Sequence, residues 1–318
     1  MKVSPTNSEL ISLVVILGPT ASGKTELAAR LAEYFDLEVV SADSRQVYRG
    51  MDIGTAKPSP TELEAVVHHL IDVVDPHESF SAADFEENGK KAVCDIRSRG
   101  KLPFLVGGTG LYIKALTEGL LAAPSGHSEY RGKLKRLEEE GGEGTLYQAL
   151  QEVDPPLAAR LFPKDLIRIV RGLEVFAQTG KRLSDFQAEH GFRSGGFRTL
   201  KLGLQVGREE LYERIDWRVE KMLHEGLVEE TEGLLKKGYS PALKAMQAIG
   251  YRECAAYLEG RINTNEMIDT IQRETRRYAK RQMTWFDKDN SVTWLESFKE
   301  FDKILALIEE FILMKKMK

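Results

Sequence analysis

A glycine-rich loop set between an apolar run and a helical pattern is the feature that most constrains this chain. Residues Ile11–Leu17 are rich in β-branched side chains, which is typical of a parallel strand buried on both faces. The next eight residues, Gly18–Thr25, read GPTASGKT and match the phosphate-loop pattern G-x-x-x-x-G-K-[ST]. Helical spacing begins at Glu26, so the motif has the strand before it and the helix after it that a phosphate site requires.

We therefore predict that this loop binds a diphosphate or a triphosphate, although the motif alone does not establish that the ligand is a nucleotide. Backbone N–H groups of such a loop converge on phosphate oxygens, Lys24 adds a full positive charge, and Thr25 offers a hydroxyl to Mg²⁺. The predicted phosphate ligands are Gly18, Thr20, Ala21, Ser22, Gly23, Lys24 and Thr25.

The pattern of elements predicts an α/β fold, a doubly wound parallel sheet like that of phosphate-loop kinases. Short apolar runs at Leu37–Val40 and Leu102–Val106 alternate with helical stretches, and Leu200–Val206 reads as a strand that returns to the sheet. Strand signals are absent from Leu121 to Arg198, where a helix is predicted from an N-cap at Asp165 to a C-cap at Gly180. We expect a catalytic core of residues 1–120 and 200–318 with an all-helical insertion of residues 121–199. A single helix is predicted over Val219–Lys237.

Two further loops should lie beside the phosphate loop, because ligands of parallel sheets bind at the carboxyl ends of the strands. The strand at Leu37–Val40 leads to Asp43, which is placed to bind Mg²⁺ or to act as a general base; a turn or N-cap aspartate is the alternative. The strand at Leu102–Val106 leads to a second glycine loop, Gly107–Gly110, in which Thr109 can donate a hydrogen bond to a leaving oxygen.

Basic side chains recur on two predicted helices away from this edge. Arg168 and Arg171 lie opposite the apolar stripe of one helix, and Arg273, Arg277 and Arg281 align on the other. Ile268, Ile271, Tyr278 and Trp285 are expected to face inward on that second helix. Such stripes indicate either a solvated face or contacts with a phosphate backbone, and both readings stay open. Arg218 can reach the active site or pair with Asp216 or Glu220.

Composition limits the remaining classes. The 318 residues carry a net charge of −4 with 42% apolar and 30% charged side chains, so nucleic acid would be bound by local patches and not by the whole surface. Two distant cysteines, Cys94 and Cys254, exclude a disulfide framework and a cysteine-rich zinc site. We expect a cytoplasmic protein that does not bind membranes and acts as a monomer.

The residues alone favour a small-molecule kinase as the default, and a GTPase is disfavoured because no Asn-Lys-x-Asp motif is present. The helical insertion, the second glycine loop and the basic stripes exceed what a minimal kinase needs. They point to a larger acceptor.

Five segments in order resemble the signatures of bacterial tRNA dimethylallyltransferases, over about residues 11–286. These segments are Gly18–Thr25 (GPTASGKT), Ser41–Tyr48 (SADSRQVY), Asp52–Pro58 (DIGTAKP), Val106–Tyr112 (VGGTGLY) and Gln247–Arg252 (QAIGYR). The resemblance implies transfer of a dimethylallyl group from dimethylallyl diphosphate to the exocyclic amine of the adenine immediately 3′ of the anticodon, in tRNAs that read codons beginning with U. An adenylate isopentenyltransferase that acts on free AMP or ATP is the alternative within this chemistry.

The resemblance also implies roles for individual residues. Asp43 is the general base, Thr109 contacts the diphosphate or its bridging oxygen, and Arg218 helps to hold the diphosphate, with Mg²⁺ expected at Thr25 and Asp43. The insertion would hold the anticodon stem-loop. The expected tRNA contacts are Asp43, Ser44, Arg45, Gln46, Thr109, Arg131, Lys164, Asp165, Leu166, Ile167, Arg168, Gln247, Ala248, Ile249, Gly250, Tyr251 and Arg252. The charge pattern of the C-terminal helix, and not the resemblance, adds Arg277 and Arg281 to these contacts.

Overall fold

The computed structural model describes residues 10–121, 124, 128–190, 196–296 and 298–313. Two compact units are present, one formed by Met1–Glu118 with Ser194–Lys318 and the other by Gly119–Arg193. In the described residues of the first unit the elements are β1 (Ile11–Leu17), α1 (Lys24–Leu31), β2 (Leu37–Ala42), α2 (Pro60–Ala65), β3 (His68–His69), α3 (Ala82–Ser98), β4 (Leu102–Gly107) and α4 (Gly110–Glu118). The second unit contains α5 (Ser128–Gly141), α6 (Thr145–Val153), α7 (Pro155–Ala158), α8 (Leu166–Thr179) and α9 (Leu183–His190). The first unit then continues with β5 (Phe197–Leu204), α10 (Arg208–His224), α11 (Leu227–Lys236), α12 (Tyr251–Leu258), α13 (Thr264–Phe286), β6 (Val292–Leu295) and α14 (Phe301–Leu313).

The described strands form one parallel sheet with the order β3-β2-β4-β1-β5-β6, which confirms the predicted α/β fold. Gly107 at the end of β4 pairs with Leu17 at the end of β1 and with Ala42 at the end of β2. The loops that follow these three strands therefore begin at the same edge of the sheet, as the sequence predicts.

Both faces of the sheet are covered by apolar side chains. Along β1, Leu13, Val15 and Leu17 belong to one buried cluster, while Val14 and Ile16 belong to the other. Successive side chains of a strand point to opposite faces, so this division shows that helices pack on both sides. Burial on both faces explains why β1 is an almost continuous apolar run.

The helical unit has its own core, in which α6, α7 and α8 supply most of the buried leucines. Its longest described helices are α5 and α8. The side chain of Asp165 accepts a hydrogen bond from the backbone N–H of Arg168, and Gly180 ends α8 with a φ of 68°. This helix therefore begins and ends at the capping residues that the sequence predicts.

The prediction of one helix over Val219–Lys237 is wrong. The segment belongs to two helices, because α10 ends at His224 and α11 begins at Leu227. Gly226 between them has a φ of 101°, a left-handed conformation that a helix interior does not allow. Among the described helices, none combines the length and the apolar character that crossing a bilayer requires.

Candidate active site

The phosphate loop opens α1 at its N-terminus. Gly23 precedes this helix with a φ of 86°, and Ala21 has a φ of 64°, so two residues of the loop adopt left-handed backbone conformations. A non-glycine residue in this conformation is uncommon, and such strain concentrates at functional sites. The helix N-terminus adds a partial positive charge to the loop, as an anion site requires.

Lys24 lies folded against its own loop. Its Nζ donates hydrogen bonds to the carbonyl oxygens of Gly18 at 3.1 Å and Pro19 at 2.6 Å. The pKa of Lys24 is lowered to about 7, chiefly by burial and next by the positive charge of Arg218, while the carboxylate of Asp43 acts in the opposite direction. A cationic side chain whose charge is disfavoured by burial and by a neighbouring cation lies in a site that an anion would stabilise.

Arg218 extends from α10 to the phosphate loop, where its guanidinium donates a hydrogen bond to Thr20 Oγ1 at 3.2 Å. Burial lowers the pKa of Arg218 from its ordinary value. The sequence leaves open whether Arg218 reaches the site or pairs with Asp216 or Glu220. In the structure Arg218 contacts the phosphate loop, and Asp216 pairs with Arg276.

Gln282 on α13 joins the phosphate loop to the second glycine loop. Its side chain accepts a hydrogen bond from the backbone N–H of Thr20 at 2.8 Å and donates one to the carbonyl oxygen of Gly108 at 2.9 Å. A Cβ on Gly108 would lie 2.2 Å from the Gln282 amide nitrogen, so any side chain there would displace this amide from its hydrogen bonds. Sequence reasoning missed Gln282, although a glutamine in the buried stripe of an amphipathic helix is a usable signal.

Asp43 follows β2 in a tight turn. One of its carboxylate oxygens accepts hydrogen bonds from the backbone N–H groups of Arg45 at 2.8 Å and Gln46 at 3.4 Å. The same turn is held from β4, because the backbone N–H of Ser44 donates to Thr109 Oγ1 at 3.0 Å. Asp43 is thus both the turn aspartate of the alternative reading and a side chain aimed into the site.

Tyr278 of α13 completes this corner and was expected only to face inward. A hydrogen bond joins its hydroxyl to the side chain of Thr109. Burial raises the pKa of Tyr278 to about 12, and the negative charge of Asp43 contributes to this increase.

Trp285 of the same helix was also expected to face inward, but that prediction is wrong: the side chain is 48% exposed. Gln282 and Phe286 are the buried residues of this last part of α13, whereas one side of the Trp285 ring packs over Gly110 of α4 and the rest is open to solvent.

Two cavities meet at this corner of the first unit. The phosphate-loop cavity has a volume of about 520 Å³, and Thr20–Glu26, Gly108 and Lys57 contribute to its walls. The arginine cavity has a volume of about 340 Å³, and its walls include Arg45, Arg252 and Arg281. The residues that line both cavities are Thr20, Asp43, Thr55, Ala56, Arg218, Met222 and Tyr278.

The walls of the arginine cavity carry more positive than negative side chains. Four arginines contribute to the described walls of the arginine cavity, namely Arg45, Arg218, Arg252 and Arg281, and the one carboxylate among those wall residues is Asp43. Arg252 is paired with Glu253, so the excess of positive charge rests on Arg45, Arg218 and Arg281, and it suits a polyanionic ligand. Thr109 lines neither cavity, and its contacts are with the turn that carries Asp43.

The segment Gln247–Arg252 contributes to the arginine cavity through all of its residues except Tyr251. Tyr251 is buried, and its hydroxyl donates a hydrogen bond to Glu230. The carboxylate of Glu230 also accepts from the backbone N–H groups of Asp52, Ile53 and Gly54. Tyr251 therefore supports the loop that walls the site, and its burial does not support the expected RNA contact.

Gln46 is also engaged within the protein. Its amide nitrogen donates to the carbonyl oxygens of Thr55 at 3.3 Å and Ala56 at 3.0 Å, and its amide oxygen accepts from Ser41. Gln46 thereby ties the turn after β2 to the loop of residues 52–58. Its side chain lines the phosphate-loop cavity rather than the arginine cavity.

The basic stripe of α13 is less uniform than the sequence suggests. Arg281 lines the arginine cavity, whereas Arg277 lies on the exposed surface with its guanidinium donating to Glu274 at 2.6 Å. Glu274 also lies 3.7 Å from Arg273. The stripe is therefore not purely positive, because Glu274 neutralises part of its charge.

The predicted RNA contacts of the helical unit lie at the start of α8 and on α5. Ile167 is 86% exposed, Arg168 pairs with Asp165, and Lys164 forms an ion pair with Glu143 at 3.0 Å. Arg131 is bound by the fully buried carboxylate of Glu174. Arg171 pairs with the same carboxylate, so its charge is also compensated within the unit. The exposed side chains at the start of α8 form a surface that an external ligand can reach.

Comparison with known proteins gives consistent matches. The sequence model of the family described as IPP transferase matches residues 46–289. The chain is 58% identical over 306 residues to tRNA dimethylallyltransferase 1 of Syntrophotalea carbinolica, covering 96% of this chain and 98% of that protein. It is 54% identical to tRNA dimethylallyltransferase of Geobacter sulfurreducens, covering 94% and 96% of the two chains.

Two solved structures are similar over most of the chain. A full-length tRNA isopentenylpyrophosphate transferase from Bacillus halodurans has 40% identity and a TM-score of 0.71, covering 96% of this chain and 98% of that one. A eukaryotic dimethylallyltransferase acting on tRNA has 30% identity and a TM-score of 0.82, covering 95% of this chain and 79% of that one.

Proposed function

The chain belongs to the IPP transferase family, and on that premise we propose that it transfers a dimethylallyl group from dimethylallyl diphosphate to tRNA, at the adenine immediately 3′ of the anticodon. The relatives named above are tRNA-prenylating enzymes, and the same reaction class holds here. The donor, the exocyclic amine as the acceptor atom, and the restriction to tRNAs that read codons beginning with U form the finer part of the proposal.

The observation that carries this proposal is that Asp43 lines both cavities. The phosphate-loop cavity offers Lys24, Arg218 and the N-terminus of α1 to a diphosphate. The arginine cavity offers mainly positive charge to an RNA loop. The amine of the acceptor and the allylic carbon of the donor must come together where the two cavities meet. Asp43 lies at that point, so its carboxylate can accept the proton that the amine loses.

The chemistry needs little more than this arrangement. The bond between the allylic carbon and the bridging oxygen breaks, and its electron pair leaves with the diphosphate. The lone pair of the amine forms the new carbon–nitrogen bond, and the amine proton passes to Asp43. An aromatic amine is a weak nucleophile, but the allylic carbon tolerates positive charge, so stabilisation of the departing diphosphate is the main catalytic task.

The cationic groups of the site fit that task. Arg218 is already held at Thr20, and Lys24 is released from the carbonyl oxygens of its own loop when a phosphate offers stronger acceptors. Thr109 holds the turn of Asp43 through Ser44, so we assign it a positioning role in addition to any contact with the leaving oxygen. Gly108 and Gln282, which are joined by a hydrogen bond, contribute to the wall of the phosphate-loop cavity.

The side chains near the phosphate loop also fit Mg²⁺. Thr25 and Asp43 both line the phosphate-loop cavity, and a hydroxyl with a carboxylate is the hard oxygen donor set that Mg²⁺ prefers beside phosphate. When bound, the ion would neutralise charge on the diphosphate. Asp43 in this scheme keeps its proton-accepting role at the boundary between the cavities.

The acceptor base must leave the anticodon loop to reach Asp43, because a base within a stack cannot bring its amine to a carboxylate inside a cavity. Recognition of an unstacked loop base by edge contacts suits the backbone and side chains of Gln247–Arg252. We assign the exposed start of α8, Lys164–Arg168, to the anticodon stem. We also propose that the protein acts in the cytoplasm, where tRNA is processed. Action as a monomer is a separate part of the proposal.

Mass spectrometry of an anticodon stem-loop, after incubation with dimethylallyl diphosphate and Mg²⁺, tests the function. The expected result is one added dimethylallyl group on the adenine 3′ of the anticodon and none on free AMP. Prenylation of AMP alone would instead establish the adenylate isopentenyltransferase alternative. Transfer of labelled phosphate from ATP would establish the kinase alternative.

A further inference from the structure

One face of α10 carries a cation and an apolar side chain that are one helical turn apart. Arg218 reaches Thr20 of the phosphate loop, and Met222, four residues later, lines both cavities. Side chains at this spacing are neighbours on a helix, about 5–6 Å apart at Cβ. Met222 is therefore placed about one helical turn from the group that contacts the diphosphate end of the donor.

Ala56 presents the second aliphatic side chain shared by the two cavities. It has a φ of 49°, which is uncommon for alanine. Its carbonyl oxygen accepts a hydrogen bond from Gln46 Nε2 at 3.0 Å, and its N–H donates to Ile53 at 3.0 Å. The loop is thus fixed in a strained conformation that holds a small methyl group at the boundary.

The geometry of displacement explains why these two side chains matter. Attack by the amine and departure of the bridging oxygen occur on opposite sides of the allylic carbon. That carbon must lie at the boundary beside Asp43, and the remaining carbons of the prenyl group must turn aside there. The other described residues shared by both cavities are polar or aromatic: Thr20, Asp43, Thr55, Arg218 and Tyr278.

The geometry points to Met222, with Ala56, as the determinant of donor chain length; this inference rests on the proposed function. Methionine is long and flexible enough to close around a branched five-carbon group. It is half-buried and packs against the core of the first unit, which limits how far it can withdraw. A ten-carbon chain needs volume that the Met222 side chain occupies.

The test compares kcat/KM for dimethylallyl diphosphate with kcat/KM for geranyl diphosphate, using the full chain and an anticodon stem-loop. The Met222→Ala variant is expected to lower this preference ratio by about tenfold or more, in line with what a few methylene groups contribute to discrimination in an apolar pocket. Leu223→Ala is the matched control: Leu223 is half-buried on the same helix, packs against the same core, and lines neither cavity. Its preference ratio should equal that of the wild type.

A ratio that is the same in Met222→Ala as in Leu223→Ala would overturn the inference. Should the alanine variant not fold, as judged by circular dichroism, Met222→Val removes less volume and is expected to shift the ratio in the same direction. An unchanged ratio in the folded valine variant is equally contradictory. Failure of the wild type to use dimethylallyl diphosphate at all would instead contradict the proposed function.

Discussion

Gln282 and Thr20 are separated by 262 residues, yet the Gln282 side chain accepts the backbone N–H of Thr20 at 2.8 Å. The same side chain donates to the carbonyl oxygen of Gly108 at 2.9 Å, and it is 6% exposed. One amide therefore sets the spacing of the two glycine loops. The hydroxyl of Thr20 accepts a hydrogen bond from the guanidinium of Arg218. The position of Arg218 therefore depends on Gln282 as well.

Gln282→Met should raise KM for the prenyl diphosphate and lower the free energy of unfolding by roughly 1–3 kcal/mol, because the partly buried N–H of Thr20 loses its acceptor. Gln282→Glu keeps an acceptor for Thr20 and should retain more donor affinity than the methionine variant. Thr284→Ala is the control, since this exposed residue of α13 bonds only within its own helix. Steady-state kinetics and urea denaturation give both quantities; a methionine variant with unchanged donor KM would rule out this positioning role.

Lys24 should make donor binding depend on pH. Its pKa of about 7 means that the ligand-free protein loses this charge above neutral pH, whereas a bound diphosphate favours the ammonium form. Donor affinity should therefore fall as the pH rises above about 7, and binding in that range should take up a proton. Calorimetry in buffers of different ionisation enthalpy measures this uptake, and Lys24→Met should abolish it.

The same group predicts a trend in stability without ligand. Between about pH 7 and the ordinary lysine value of 10.5, the unfolded chain binds a proton at Lys24 that the folded chain does not. The free energy of unfolding should therefore rise with pH across this window, relative to Lys24→Met. A contribution with the opposite sign would show that the site stabilises the ammonium form even without a phosphate.

Arg281 and Arg277 should differ in their contributions to tRNA binding. Arg281 lines the arginine cavity, whereas Arg277 is paired with Glu274 on the surface. Arg281→Ala should reduce the slope of log Kd against log salt by about 0.7–0.9, the value for one lost phosphate contact. Arg277→Ala should change the slope less. Equal changes in the two variants would show that the pairing with Glu274 does not persist in the complex.

Tyr251 is predicted to serve stability. Its hydroxyl and three backbone N–H groups converge on Glu230, and a Cβ on Gly54 would lie 2.4 Å from the Tyr251 ring. Tyr251→Phe should lower the free energy of unfolding by roughly 1–3 kcal/mol through loss of a hydrogen bond to a carboxylate. Tyr257→Phe on the same helix is the control and should have a smaller effect. Urea denaturation of both variants provides the comparison.

Local sequence signals predicted the parts of the structure that local physics determines. The strand Ile11–Leu17 follows from its β-branched run, and the helix from Asp165 to Gly180 follows from its two caps. The meeting of the phosphate loop, Asp43 and the second glycine loop follows from the parallel sheet, since three neighbouring strands end together. The sequence alone therefore predicts which three loops form the candidate site.

Features that depend on distant pairing were not predicted. The four-residue strand β6 is defined by its pairing with β5, and its sequence is too short to show a period. The roles of Gln282, Tyr278 and Met222 depend on where α10 and α13 pack, which no spacing within either helix reveals. The exposure of Trp285 also depends on how α13 packs. Its ring lies over Gly110 of α4, as periodicity predicts for an internal face, but the neighbouring elements leave 48% of the side chain exposed.

The central claim is that Asp43 accepts the amine proton where the two cavities meet. Asp43→Asn tests it most directly, because an asparagine oxygen can still accept the backbone N–H of Arg45 and keep the turn while the base is removed. Single-turnover prenylation of a stem-loop by this variant, at saturating donor and Mg²⁺, should be slower by about 10²–10⁴-fold, with RNA affinity near that of the wild type. A single-turnover rate equal to that of the wild type would contradict the account.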